Sequence, residues 1–231
     1  EMRLIMSERL AALGQMSSGI AHEINNPLAS IAGCAEGLLV KVRKGTYNPG
    51  QFEEYLTIIQ EEILRCKSIT TGMLSFVRKA AYEKKEVSLS KTMDKTLEII
   101  GFQGRLRDVE IVKEYDDDVP PISASEGELR QVLLALITNA LDAMADQGRL
   151  TVGTSSEGDS VTLRIADTGP GIPEENLKRI FDPFFTTKSE RGGTGLGLSI
   201  VHRIVTNHGG AIDVSSGPGK GAEFIITLPK Q

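Results

Sequence analysis

A histidine, an acid and an amide lie close together early in the chain, within the segment 18–28. His22 and Asn26 are four residues apart, so on a helix they share one face, and Glu23 follows the histidine directly. A neutral imidazole is a nucleophile, and a carboxylate that accepts its other ring N–H would fix the tautomer. Adjacent helical residues do not normally face each other, so that contact requires a bent geometry. Without further signals, a structural histidine would be the simpler interpretation.

An acid of the kind that ends a buried strand lies far downstream, at the start of the segment 167–171. The carboxylate of Asp167 can accept a hydrogen bond from an exocyclic amine such as that of adenine. Gly169 and Gly171 allow the backbone to approach a ligand closely. An ordinary turn at the end of a strand is the alternative interpretation.

A second glycine-rich segment precedes the last long helix. Its amides and the helix N-terminus can together cradle phosphates. The candidate residues are Gly193, Thr194, Gly195, Leu196 and Gly197. The segment lacks the Gly-Lys-Ser/Thr ending of a P-loop. It also follows no βαβ pattern with an acid beyond it, which excludes a dinucleotide fingerprint.

An asparagine occupies the middle of an apolar helical segment, at position 139. An amide in such a place costs stability unless it is satisfied. The carbonyl oxygen of Asn139 could hold Mg²⁺, which keeps waters and substrate phosphates among its ligands. A hydrogen bond between packed helices is the alternative. Asp142, in the same segment, is included among the candidate nucleotide contacts.

The segment between the two glycine-rich stretches is long and holds only one short predicted helix, which is typical of a lid. Phe181, Phe184 and Phe185 could anchor it on apolar surface. Lys188 is a candidate phosphate contact, and a solvated charge is its alternative role. A nucleophilic histidine in one region and a nucleotide site in the other indicate phosphoryl transfer between them.

The composition of the 231-residue chain is that of a soluble globular protein, with 40% hydrophobic and 25% charged residues. A formal net charge of −5 argues against a broad nucleic-acid surface, and no apolar run reaches the length of a membrane span. Cys34 and Cys66 make neither a disulfide framework nor a metal site, and we expect reduced core thiols. The opening residues already have a helical pattern. We therefore expect the cytoplasmic part of a longer protein, whose upstream region could carry a sensor.

The region 1–81 is predicted to be a helical hairpin. An amphipathic helix ends at a break near 45–50, and a second helix follows it. Apolar residues of the second helix alternate steps of four and three over about four heptads, as in a coiled-coil seam. One hairpin cannot bury both stripes, so we expect two copies to form a dimeric four-helix bundle. A hairpin that packs on its own C-terminal domain is the alternative.

The region 82–231 alternates strand and helix patterns and predicts an α/β sandwich, a mixed sheet with helices on one face. Ser125 and Glu128 match a capping box at the start of a strongly apolar helix that ends near Ala145. Two strands on either side of Gly158 indicate a hairpin. His202 and His208, on or just after the last long helix, are interpreted as structural.

Taken together, these segments resemble the sensor histidine kinases. The segment 22–28 resembles their H box, 129–140 the N box, 167–171 the G1 box, 181–185 the F box and 193–197 the G2 box. The five boxes occur in family order and cover essentially the whole chain. Two of their sequences, Asn-Asn-Pro-Leu in the H box and Asn-Ala-Leu-Asp-Ala-Met at the N box, are similar to those of nitrogen-regulation-type kinases.

The resemblance implies a dimerisation and phosphotransfer hairpin over 1–81, followed by a Bergerat-type ATP-binding domain over 82–231. It implies ATP and Mg²⁺ as cofactors, autophosphorylation of His22 and transfer to an aspartate of a response regulator. Asn26 would orient water when the phosphoryl group is removed again. A homodimer through residues 1–81 follows from it, with no nucleic acid as partner.

One position departs from the family pattern. Ala135 replaces a second asparagine that the family usually places four residues before Asn139. The loss of that amide is expected to weaken catalysis or ATP binding. A catalytically impaired dimer that binds a response regulator as a phosphatase or scaffold is therefore the alternative function. A gyrase-type ATPase is a third one, against which the histidine-bearing hairpin argues.

Overall fold

A computed structural model describes residues 24–46, 48–77, 83–188 and 195–230. The first two ranges hold helix α1, residues 24–44, and helix α2, Pro49–Val77. A Schellman motif ends α1: Gly45, at φ +63°, donates to Val42 O at 3.1 Å, and Thr46 donates to Lys41 O at 3.1 Å. Asn48 then caps α2, since its Oδ1 accepts from Gly50 N at 2.9 Å. The predicted hairpin is confirmed.

Contacts near the turn fix the pairing of the two helices. A Cβ at Gly37 would lie 3.7 Å from the ring of Tyr55, so the small residue allows close approach. Lys41 Nζ donates to Gln51 Oε1 at 2.8 Å and lies 5.7 Å from the centre of the Tyr55 ring. These pairs define one antiparallel register for the hairpin.

The apolar seam of α2 is only half covered within one hairpin. Ile59 and Cys66 are half-buried, whereas Leu56 and Ile63 are 50% and 52% exposed. The two cysteines are free thiols and are half-buried rather than in the core. On α1, the exposed apolar residues are Leu28, Leu39, Val40 and Val42. Apolar side chains therefore remain exposed on both helices of this hairpin.

The α/β unit follows, and its elements alternate as expected. Its strands are β1 Lys85–Val87, β2 Asp108–Tyr115, β3 Ile122–Ala124, β4 Gln147–Glu157, β5 Ser160–Asp167, β6 Ala211–Ser216 and β7 Ala222–Pro229. Its helices are α3 Leu89–Phe102, α4 Glu126–Met144, α5 Glu174–Leu177 and α6 Gly197–Asn207. The short α5 is the helix predicted between the two glycine-rich stretches.

The main sheet is mixed, as predicted, with strand order β2-β4-β5-β7-β6. Among the strands of the described ranges, only β2 and β4 pair in parallel, and β4 and β5 form the predicted hairpin. Alternate residues of β5 and β7 are buried, and they share one core with the buried stripes of α3, α4 and α6. This layer of helices on one sheet face confirms the α/β sandwich.

Two local features differ from the sequence expectation. Strand β3 was not predicted, and it pairs with β1 in a two-stranded sheet. The capping box is only half formed, because Ser125 Oγ accepts from Glu128 N at 3.2 Å while Glu128 does not cap Ser125 in return. Ser125 N instead donates to Nε2 of the buried His208 at 3.1 Å.

His208 therefore joins the start of α4 to the end of α6. Its Nε2 accepts a hydrogen bond, so the ring proton is on Nδ1, which lies 2.9 Å from Ile204 O and donates to it. Both nitrogens have partners in the neutral form. Among the helices in the described ranges, none has the length and apolar character needed to cross a bilayer.

We expect His208→Leu to lower the free energy of unfolding by about 1–3 kcal/mol, because it leaves the Ser125 N–H buried without its acceptor. Urea unfolding measures the change. His202→Leu, at an exposed position of α6, is the matched control and should change it by no more than about 0.5 kcal/mol. Equal losses in both variants would contradict this role of His208.

Candidate nucleotide site

Helix α4 supplies one wall of the candidate site. Its apolar face is buried, and Asn139 is half-buried at the border of that face, one turn beyond Ala135. A Cβ at Gly197, the first residue of α6, would lie 4.0 Å from Asn139 Nδ2. Within the described ranges, the Asn139 side chain has no hydrogen-bond partner. The amide and the start of α6 therefore face each other.

Asp167 is the last buried member of the β5 alternation, with 9% of its surface exposed. Its Oδ1 accepts from Gly169 N at 2.8 Å and from Ala222 N at 3.3 Å. These amides come from the turn after β5 and from the first residue of β7. The carboxylate is thus held by two separate backbone segments at the edge of the core.

The turn after β5 packs too tightly for side chains at its glycines. A Cβ at Gly169 would lie 2.8 Å from Asp167 Oδ1 and 3.2 Å from the Cβ of Ala143, which is one turn beyond Asn139 on α4. Gly171 has φ +77°, and a Cβ there would collide with the carbonyl oxygen of Gly217. The turn is therefore in contact with both α4 and the β6–β7 loop.

The second glycine-rich segment meets the phenylalanine segment through the backbone. Phe184 N donates to Gly195 O at 3.0 Å, and a Cβ at Gly195, where φ is +65°, would collide with the Phe184 backbone. Phe184 itself has φ +66°, which is rare and strained for a bulky residue. The side chains of Phe181, Phe184 and Phe185 pack against the core, so the expected anchoring is observed.

Helix α6 begins directly after this contact. Leu196 is buried, and Ile200 N donates to Leu196 O at 3.0 Å. The amides of the first turn of a helix have no acceptor within the helix and carry partial positive charge. They therefore form a suitable anion site beside Asn139.

The structure describes only some of the remaining predicted site residues. His22, Glu23, Gly193 and Thr194 lie outside the described residues. Asn26 is exposed on α1. Lys188 is half-buried, and its backbone N–H donates to Thr186 Oγ1 at 3.0 Å.

Asp142 is exposed, and its carboxylate is 2.6 Å from Arg105 Nη2. The hydrogen bond to Asp146, together with that to Asp142, holds the pKa of Arg105 above its ordinary value against the effect of burial. Asp142 thus has an ion-pair role, and its role at the nucleotide stays a prediction.

One element of the site was missed from the sequence. The β6–β7 loop lies on the turn after β5: Gly219 N donates to Pro170 O at 2.7 Å, and Ile172 N donates to Ser216 Oγ at 2.8 Å. Three glycines at alternate positions from Gly217 to Gly221 are a turn signal in the sequence. They carry no sign of which distant loop they contact.

The fold and the site define an ATP-binding module that follows a helical hairpin, and comparison with known families agrees. The family described as "Histidine kinase-, DNA gyrase B-, and HSP90-like ATPase" matches residues 124–231. The "His Kinase A (phospho-acceptor) domain" family matches residues 12–81.

Curated relatives match almost the whole chain. Sensor histidine kinase ZraS of Escherichia coli K12 is 36% identical over 222 residues, which are 96% of this chain and 46% of ZraS. Signal transduction histidine-protein kinase AtoS of the same strain is 38% identical over 228 residues, which are 98% of this chain and 36% of AtoS. The chain thus spans less than half the length of these relatives.

Solved structures of histidine kinases are similar in sequence and fold. The histidine kinase ThkA, solved in complex with the response regulator protein TrrA, has a TM-score of 0.81 and 30% identity over 98% of this chain and 64% of that chain. The catalytic domain of ThkA alone has a TM-score of 0.58 and 32% identity, with 64% of this chain and 96% of that domain covered. The chain belongs to the histidine kinases.

We expect Gly171→Ala to weaken ATP binding and to lower the free energy of unfolding by roughly 1–3 kcal/mol, because an alanine is strained at this positive φ and its Cβ would collide with the Gly217 carbonyl oxygen. Gly158→Ala is the matched control, since Gly158 also has positive φ but has open space around it. Titration calorimetry with ATP and urea unfolding measure both effects. ATP binding that is weakened equally in the two variants would show that close packing at Gly171 is unimportant.

Proposed function

We propose that this chain is a kinase core that binds ATP in its α/β unit, phosphorylates His22 and passes the phosphoryl group to an aspartate of a response regulator. One observation carries the proposal: Asn139, the turn after β5 and the N-terminus of α6 all meet on α4. The match of residues 12–81 to a phospho-acceptor domain supports the acceptor. The complex of ThkA with its response regulator supports the class of partner.

Each part of the nucleotide has a group suited to it. The carboxylate of Asp167 would accept a hydrogen bond from the exocyclic amine of adenine, and Gly169 and Gly171 would let the turn approach the base. The phosphates would lie on the amides of residues 193–197 and the α6 N-terminus. Asp142 and Lys188 are further proposed contacts.

The surroundings of Asn139 fit its proposed role as a ligand of Mg²⁺. Its amide is half-buried, has no hydrogen-bond partner in the described part of the chain and faces the proposed phosphate site. A carbonyl oxygen of this kind is a ligand that Mg²⁺ accepts together with substrate phosphates. When bound, the ion would neutralise charge on the phosphates.

His22 would attack the γ-phosphorus with a neutral ring nitrogen. The bond from that phosphorus to its bridging oxygen would break as the phosphorus–nitrogen bond forms, and ADP would leave. Glu23 would accept a hydrogen bond from the other ring N–H. Asn26 would orient the water that hydrolyses the aspartyl phosphate of the regulator to aspartate and inorganic phosphate. Such catalysis depends mainly on positioning and charge stabilisation.

We also propose a domain boundary between residues 81 and 82. The sequences of the H and N boxes support a further proposal, a nitrogen-regulation-like subtype. ZraS and AtoS carry other names, so the subtype stays a prediction, as does a cytoplasmic location.

Two hairpins would pair through the exposed apolar surface described above. That surface includes Leu56 and Ile63, one heptad apart on α2, and Leu28, Leu39 and Val42 on α1. A second copy would cover both stripes as a four-helix bundle.

We expect the chain to be a dimer and the double variant Leu56→Lys, Ile63→Lys to be a monomer, because two charges on the seam cannot be buried without partners. Light scattering after size exclusion measures the mass. Glu54→Lys, an exposed position two residues from Leu56, is the control and should stay dimeric. A dimeric double variant would contradict the proposed interface.

We expect label from γ-labelled ATP with Mg²⁺ to become bound in an acid-labile, alkali-stable form, and to be lost in His22→Gln and reduced at least about 100-fold in Asn139→Ala. Ala135→Asn tests the alternative function, since Ala135 is half-buried one turn before Asn139. If label appears only in Ala135→Asn, this chain is an impaired kinase suited to a phosphatase or scaffold role. If His22→Gln labels as strongly as the unmodified chain, His22 is not the acceptor.

A further inference from the structure

The hydroxyl of Ser216, the last residue of β6, bridges two loops. Its Oγ accepts from Ile172 N at 2.8 Å, just after the turn that follows β5, and donates to Gly221 O at 2.6 Å. The side chain is half-buried and uses its donor and acceptor roles at once. The hydroxyl therefore fixes the distance between that turn and the start of β7.

The orientation of the Asp167 carboxylate depends on that distance. Gly169 N, from the turn, and Ala222 N, from β7, donate to the same Oδ1 atom. Gly221, whose carbonyl Ser216 holds, directly precedes Ala222, and a Cβ there would collide with the Asp167 carbonyl oxygen. A shift between the two loops would move the two amides apart, and the carboxylate could no longer keep both hydrogen bonds.

We propose that Ser216 is a positioning residue that orients the Asp167 carboxylate and thereby determines the selectivity of the site for 6-amino over 6-oxo purine nucleotides. The inference rests on the proposed function of Asp167 as the group that reads the base. Ser216 does not touch the nucleotide in this account. It acts through the two amides that hold Oδ1.

The chemistry of the two bases makes selectivity the sensitive readout. ATP carries an amine at C6 that donates to a carboxylate, whereas ITP carries an oxygen at C6 that repels it. The two nucleotides share the ribose and the triphosphate. A site built for a hydrogen bond discriminates strongly only while its polar group is held in place. A change that only loosens the loop would weaken the binding of ATP and of ITP by the same factor.

The experiment compares dissociation constants for ATP and ITP, with Mg²⁺, on the full chain by titration calorimetry. We expect the preference for ATP to fall about 10-fold or more in Ser216→Ala and to be retained in Ser216→Thr, which keeps the hydroxyl. Ser215→Ala removes an exposed hydroxyl from the neighbouring residue and should leave the preference unchanged.

A double variant tests whether Ser216 acts through Asp167. In an Asp167→Asn background, Ser216→Ala should cause no further change in the ratio of the two constants. Equal weakening of ATP and ITP in Ser216→Ala, or a further change in the double variant, would overturn the inference. Urea unfolding checks that each variant is folded, and Ser216→Cys replaces Ser216→Ala if the alanine variant is not.

The outcomes separate this inference from the proposed function. A preference for ATP that survives Asp167→Asn overturns Asp167 as the reader of the base and, with it, the role of Ser216. A preference that is lost in Asp167→Asn but unchanged in Ser216→Ala overturns only the inference about Ser216.

Discussion

The candidate site depends on the close approach of two loop backbones. The turn after β5 lies directly on the β6–β7 loop because Gly171 and Gly221 have no side chains, and a Cβ at either would collide with a carbonyl oxygen. This contact brings the amides of Gly169 and Ala222 to one oxygen of Asp167. A carboxylate at the end of a buried strand is thereby satisfied and given one orientation.

Helix α4 relates this turn to the rest of the site. Its apolar face is buried against the sheet, while Asn139 and Ala143 lie one turn apart at the border of that face. Ala143 contacts the turn at Gly169, and Asn139 faces the start of α6 at Gly197. His208 ties the N-terminal end of α4 to the last turn of α6. The turn after β5 and the two ends of α6 therefore keep fixed distances from one another, because α4, which contacts all three, is packed in the core.

Much of this arrangement could be predicted from the sequence because it follows from local signals. Helical periodicity and the Gly45 break define the hairpin, and strand alternation, which ends at Asp167, defines the sheet. The glycine segments and Asn139 were predicted as site residues from their types together with the resemblance of the five boxes to one family. Their common position on α4 required the fold.

The features that were missed depend on contacts between distant segments. Glu128 has the right spacing to complete a capping box, but His208, 83 residues from Ser125, takes that place at the Ser125 amide. Ser216 lies in an ordinary strand sequence, and its two partners are a turn 44 residues earlier and a glycine carbonyl. Strand β3 is three residues long and forms only because β1 pairs with it. No local pattern contains these pairings.

The most direct test of the account is a crystal structure of the chain with Mg²⁺ and a non-hydrolysable ATP analogue. The account predicts that the adenine amine lies within hydrogen-bond distance of Asp167, with the phosphates between Asn139 and the N-terminus of α6. A nucleotide bound away from α4, or an adenine without contact to Asp167, would contradict it.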